Sequence, residues 1–308
     1  MKTAAALLIF FTFIFVQNIR CSQLPQKHKT ASVSDTLLNK YNLYSSIQKQ
    51  NNNLTWYQMF THLPSDYYQF FHRSFTIKNL TTLAEVTAAT GSFLLLDQPG
   101  WRFNRSLYNK SPVIHKTSDI AVIMGNGTYQ FMGGALFAAS GLLFKDRTAL
   151  RTGSNIAEAI LSTGLFVQLL KRITGRESPI ASSESGGEWD LFPSIKEYQK
   201  HQPEFYSFPS GHLSTATAIF TVISNNYPHV KWIKPVGYSL LGILSISLVD
   251  KGMHWYSDLP LAYFLGYSFG NIIAPVRNPA ENESDKSSLS ILPSIGNQGF
   301  QLQMTYSF

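Results

Sequence analysis

His254 and Asp258 stand four residues apart, the spacing at which two side chains meet on one helix face. A carboxylate bound to one imidazole nitrogen fixes the tautomer and frees the other nitrogen to attack an electrophile. An ordinary surface His–Asp pair has the same spacing. Pro209, Ser210, Gly211 and His212 precede an apolar helical run. Such a start presents backbone N–H groups to an anion, with the serine hydroxyl as a further donor. His212 then stands beside the bound anion, where an imidazole serves as general acid toward a leaving alkoxide. A capped helix with an incidental histidine is the plainer alternative. A third cluster, Lys171 to Pro179, ends another helical run and carries Lys171, Arg172 and Arg176. Together these residue types suit the holding and cleavage of a phosphate ester.

In order and spacing the clusters resemble the type 2 phosphatidic acid phosphatase and vanadium haloperoxidase superfamily. Its pattern is Lys, six residues, Arg-Pro; then Pro-Ser-Gly-His; then Ser-Arg, five residues, His, three residues, Asp. Lys171, Pro179, Ser210, Gly211, His212, Ser247, His254 and Asp258 match. The resemblance covers about 81 to 275. It implies that His254 forms a phosphohistidine, Asp258 orients it, His212 is the acid, and Lys171, Ser210 and Gly211 bind phosphoryl oxygens. It implies no metal and no cofactor for that reaction.

Both arginines of the pattern are missing: Ser178 and Leu248 occupy their places. A hydrogen bond to a charged group contributes about 1.5–3 kcal/mol, so two lost donors amount to roughly 3–6 kcal/mol, or about 100- to 10,000-fold in rate. Two residues are positioned to compensate. The residue before a proline favours extended backbone, so Arg176 can share a side with Ser178. Lys251 lies one turn before His254 and can stand in for the charge missing at Leu248. A solvated arginine and a solvated loop lysine are the alternatives.

The elements that must position these residues are helices. Six apolar stretches, near 81–96, 128–144, 153–172, 211–226, 232–249 and 256–274, are too long for strands. The expected fold is all-α, a six-helix bundle. Gly133, Gly134, Ala138, Ala139 and Gly141 allow close helix approach. Ahead of the bundle, Thr3 to Ile19 is uncharged and mostly apolar, follows Lys2 and ends at Arg20, which reads as an export signal over 1–22. An uncleaved anchor is the alternative. A polar segment follows over 23–80. After the bundle, 276–308 reads as a linker and an amphipathic strand, in which Phe300, Leu302, Met304, Tyr306 and Phe308 alternate with polar residues.

Composition narrows the function. Of 308 residues 44% are apolar, which supports a sizeable core, while only 14% are charged and 14% are aromatic. One cysteine excludes an internal disulfide and a multi-Cys zinc site. The net charge of +7 is scattered, with no Lys/Arg run above two, which argues against a nucleic-acid partner. The mean hydropathy of −0.05 is too low for a chain made mostly of lipid-facing helix. The uncharged runs 235–249 and 159–170 fall short of the roughly 20 residues that span a bilayer. The reading is an exported, membrane-associated, periplasm-facing phosphatase acting on a phosphorylated lipid or a small phosphate ester. The alternative is a catalytically impaired relative that binds an anionic lipid or a partner in the envelope, and Ser178 and Leu248 motivate it.

Overall fold

A computed structural model describes residues 58–275, 288–296 and 299–307. The export signal, most of the polar approach and the first part of the linker lie outside the described residues. Twelve helices are described: α1 Gln58–Thr61, α2 Leu63–Ser74, α3 Ile77–Leu94, α4 Asp97–Lys110, α5 Pro112–Gly125, α6 Gly127–Phe144, α7 Arg147–Thr174, α8 Ile195–Lys200, α9 Gln202–Phe205, α10 Gly211–Asn226, α11 Ile233–Asp250 and α12 Asp258–Ile273. The six expected stretches become α3, α6, α7, α10, α11 and α12. The fold is all-α in its body but richer in helices than the sequence pattern indicated. In α4 the buried residues are Asp97, Asn104 and Tyr108, so no apolar period marks the helix.

Local chemistry sets the boundaries. Asp146 caps α7 by accepting from the Thr148 and Ala149 amides, and Gly175 ends it with φ +49°. A Cβ at Gly175 would lie 1.9 Å from the Asp190 carbonyl oxygen, so glycine is required there on two counts. Ser210 caps α10 through the Leu213 amide.

Helices α7, α10 and α12 form the centre. Ile156, Ala159 and Ile160 of α7 pack with Ala218 and Val222 of α10, and Val167 packs with Leu265 and Phe269 of α12. Phe70 of α2 stacks on Phe269 with centroids 4.8 Å apart, so part of the polar approach segment closes the core. Helices α6 and α7 approach closely at Gly134, Gly141 and Gly153, where an added Cβ would meet backbone or side-chain atoms within 2.8 Å. Gly133, expected to serve the same contact, faces open space.

The outer surface is strongly apolar. Phe131, Met132, Leu136, Leu142, Leu143 and Phe144 of α6 are exposed, as are Val236, Leu240, Ile243 and Ile246 of α11. Among the described residues α11 is the one helix long and apolar enough to cross a membrane by length and composition.

The C-terminal segment holds two strands where one was expected. β1 Ser288–Gly296 lies within the stretch read as linker and pairs antiparallel with β2 Gly299–Ser307. Its serines and Pro293 mask a strand pattern in the sequence. In the backbone register Leu289, Ile291, Pro293 and Ile295 pair with Tyr306, Met304, Leu302 and Phe300.

Candidate active site

One end of the central helices gathers the three clusters. The Ser210 amide donates to the Asp258 carbonyl at 3.2 Å, joining the starts of α10 and α12. Lys171, in the last turn of α7, lies beside them: a Cβ on Gly211 would be 3.7 Å from its Nζ. The chain leaving α7 is held on both sides. Arg176 forms bridges to Trp189 and to Tyr206, with Glu177 N donating to Glu188 O and Ser207 N donating to Arg176 O.

His254 is buried in the loop between α11 and α12. Its Nδ1 lies 2.8 Å from the Ser207 carbonyl oxygen and 3.5 Å from Asp258 Oδ2. A carbonyl only accepts, so Nδ1 carries the proton and Nε2 keeps its lone pair in the neutral ring. Burial lowers the His254 pKa against the opposing pull of Asp258, which favours that neutral ring.

Asp258 is fully buried and well satisfied. Its Oδ2 accepts from Ser207 Oγ at 2.5 Å and from the Trp255 amide at 2.7 Å, and its Oδ1 accepts from Arg176 Nη1 at 2.6 Å. Burial works to raise its pKa, but Arg176 and the hydrogen bonds outweigh it and hold the carboxyl below the usual range.

His212 faces His254 with ring centroids 6.3 Å apart and planes at 67°. Burial, then His254 and Lys171, push its pKa down to about 3, which favours the neutral imidazole. Lys171 is wholly buried. Its Nζ donates to the Tyr206 carbonyl at 2.6 Å and lies over the Tyr206 ring, and burial pulls its pKa down to about 7.

Arg176 and Lys251, the two expected substitutes for the missing arginines, both pair with carboxylates. Arg176 is buried, and both terminal nitrogens of its guanidinium are taken by other partners, while its Nε has none. Nη1 donates to Ser257 and Asp258, and Nη2 donates to Asp97 and to the Gly186 carbonyl, all within 2.7 Å. Trp189 covers it at 4.6 Å. It braces Asp258. Lys251 forms an ion pair with Asp119 of α5 at 2.5 Å. Leu248 is core, and Ser178 is buried with its hydroxyl unpartnered.

Four participants escape the sequence reading. Asp97 accepts from Arg176 and from both the amide and the hydroxyl of Ser257. Ser207 bonds His254 with its carbonyl and Asp258 with its hydroxyl, and Tyr206 holds Lys171. Only Ser207 gives a sequence cue, three residues before Ser210 in Ser-Phe-Pro-Ser-Gly-His. Asp97 lies 79 residues before Arg176, beyond any local pattern.

Residues 153–281 match the model of the PAP2 superfamily. Among solved structures the chain is similar to the crystal structure of Aquifex aeolicus LpxE, at 20% identity, with 58% of this chain and 94% of that chain covered and a TM-score of 0.43. It is also similar to the first transmembrane PAP2 type phosphatidylglycerolphosphate phosphatase from Bacillus subtilis, at 14% identity, with 70% and 94% covered and a TM-score of 0.39. No curated protein matches.

Proposed function

We propose that this chain, whose residues 153–281 match the model of the PAP2 superfamily, is a phosphatase working through a phosphohistidine at His254. The observation that carries the reading is the buried His254 imidazole, tied at Nδ1 to Ser207 and Asp258 with Nε2 left for attack. Phosphorus bound between the two histidines meets Nε2 on one side and has its leaving oxygen near His212 on the other. The N-terminus of α10, with Ser210 and Gly211, and the Lys171 ammonium supply donors to the other oxygens. Asp258 stabilises the imidazolium that forms once His254 is phosphorylated.

The substrate in this reading is a phosphomonoester or terminal diphosphate on a lipid. The apolar surface of α6 and α11 supports a protein working at a membrane, and the signal-like first 22 residues support export with the site toward the periplasm. A second reading, a catalytically impaired relative that binds an anionic lipid or partner, draws on one observation. Arg176 and Lys251 are both engaged by carboxylates, which leaves Lys171 as the cation beside the histidines.

The test is phosphate release by detergent-purified wild type beside His254→Ala, on one lipid and one soluble phosphate ester. The phosphatase reading expects release that His254→Ala and His212→Ala each abolish. No release from either ester, with the protein folded, favours the binding protein.

A further inference from the structure

The charges around the site set a limit on what it can take. Four buried ionic side chains converge there: Lys171 from α7, Arg176 from the following loop, Asp97 from α4 and Asp258 from α12. Arg176 is neutralised twice over, so with both lysine and arginine charged the set sums to zero. Burial holds the pKa values of His212 and His254, the titratable groups facing the phosphate position from α10 and the last loop, below the usual imidazole value and favours their neutral forms. A dianionic phosphoryl group entering these surroundings adds two negative charges to a set that already sums to zero, where the superfamily pattern supplies two further guanidinium groups.

Resting on the phosphatase reading, we propose that this site selects the monoanionic, singly protonated form of the phosphoryl group, whose P–OH proton passes through His212 to the leaving oxygen. A monoanion adds half the charge that a dianion brings to this neutral set, and Lys171 is the ammonium beside it. Its P–OH is also a donor, and neutral His212 offers one nitrogen as acceptor. The dianion has no such proton and would leave that nitrogen facing another acceptor.

The steps balance. His254 Nε2 forms the N–P bond as the P–O bond to the alkoxide breaks. His212 takes the P–OH proton and delivers it to the alkoxide, which leaves as the alcohol. What remains is an imidazolium bearing a doubly charged phosphoryl group, net minus one like the bound substrate, and a neutral His212. Water then attacks phosphorus, its proton returns through His212 to a phosphate oxygen, and His254 leaves neutral with phosphate as the monoanion.

The experiment is calorimetric binding of methyl phosphate and dimethyl phosphate to the wild-type protein from pH 5 to 8.5. A phosphomonoester loses its second proton near pH 6, whereas the diester stays monoanionic. Loss of the Lys171 charge weakens both ligands, so the ratio of their affinities isolates the ligand's own proton. The expected result is a methyl-to-dimethyl affinity ratio that falls about tenfold for each pH unit above roughly 6. A ratio that is flat or rises with pH overturns charge selection and leaves the phosphate site standing, and failure of both ligands to bind at any pH overturns the phosphate site itself. Ser178→Arg, which restores one guanidinium at the vacant motif position, is expected to flatten the ratio. If that variant does not fold, the wild-type ratio still decides.

Discussion

Arg176 donates to Asp258 at 2.6 Å, and neither side chain reaches solvent. The same guanidinium holds Asp97 at 2.7 Å, so one cation from the loop after α7 fastens the starts of α4 and α12 together. Removing a single partner from such a cluster leaves a buried charge uncompensated, which costs about 3–5 kcal/mol. Arg176→Met is therefore expected to lower stability by about that amount in urea unfolding, because both carboxylates lose their cation. Adding Asp97→Asn should cost less than the sum of the single changes, since part of the stranded charge is removed with it. Strict additivity would show that the three side chains are not coupled.

Ser207 divides its work between two groups. Its carbonyl sets the His254 tautomer from the backbone and survives any side-chain change, while its hydroxyl supports Asp258 alone. Ser207→Ala is accordingly expected to reduce kcat about tenfold, the worth of one hydrogen bond to a charged group at the low end of its range. KM should stay within about twofold, because the hydroxyl does not face the phosphate position. Asp258→Asn should cost far more, since it disturbs Arg176, Ser207 and Trp255 at once. Equal losses for the two variants would place the orienting role in the hydroxyl and not in the carbonyl.

The parts of this site legible in sequence are those written in short spacings. His254 and Asp258 are four apart, Ser210 to His212 are contiguous, and a helix of regular composition carries Lys171 toward them. The helices read correctly are those written as long apolar stretches. Those missed, α4 above all, bury Asp97, Asn104 and Tyr108, and polar burial leaves no hydrophobic period to find. Arg176 shows where one-dimensional reasoning stops. Alternation puts Arg176 and Ser178 on one side, but the pairing of Arg176 with Asp97 depends on a distant helix. Lys251 likewise meets Asp119, 132 residues away, and no local spacing indicates that pairing.

Lys171 gives the site a dependence on pH whose sign follows from burial. Its pKa is about 7 in the fold against the ordinary 10.5 of an exposed lysine. Below about pH 7 both folded and unfolded chains hold the proton, and the fold bears the full cost of a dry ammonium. Between about 7 and 10.5 the unfolded chain binds more protons than the folded one, so stability rises with pH across that window. Lys171→Met removes the cost while keeping a chain of similar length. The variant is expected to be more stable than wild type at pH 6, with the gap closing by about pH 10, as read from paired urea titrations. It should nonetheless lose phosphate release, because the same ammonium is the cation beside the histidines. Bound inorganic phosphate favours the charged amine, so added phosphate should stabilise wild type most at the acidic end and Lys171→Met little at any pH. Parallel stability curves for the two proteins would show that Lys171 keeps its charge throughout, and the site's pH dependence would then have to come from the histidines or the ligand.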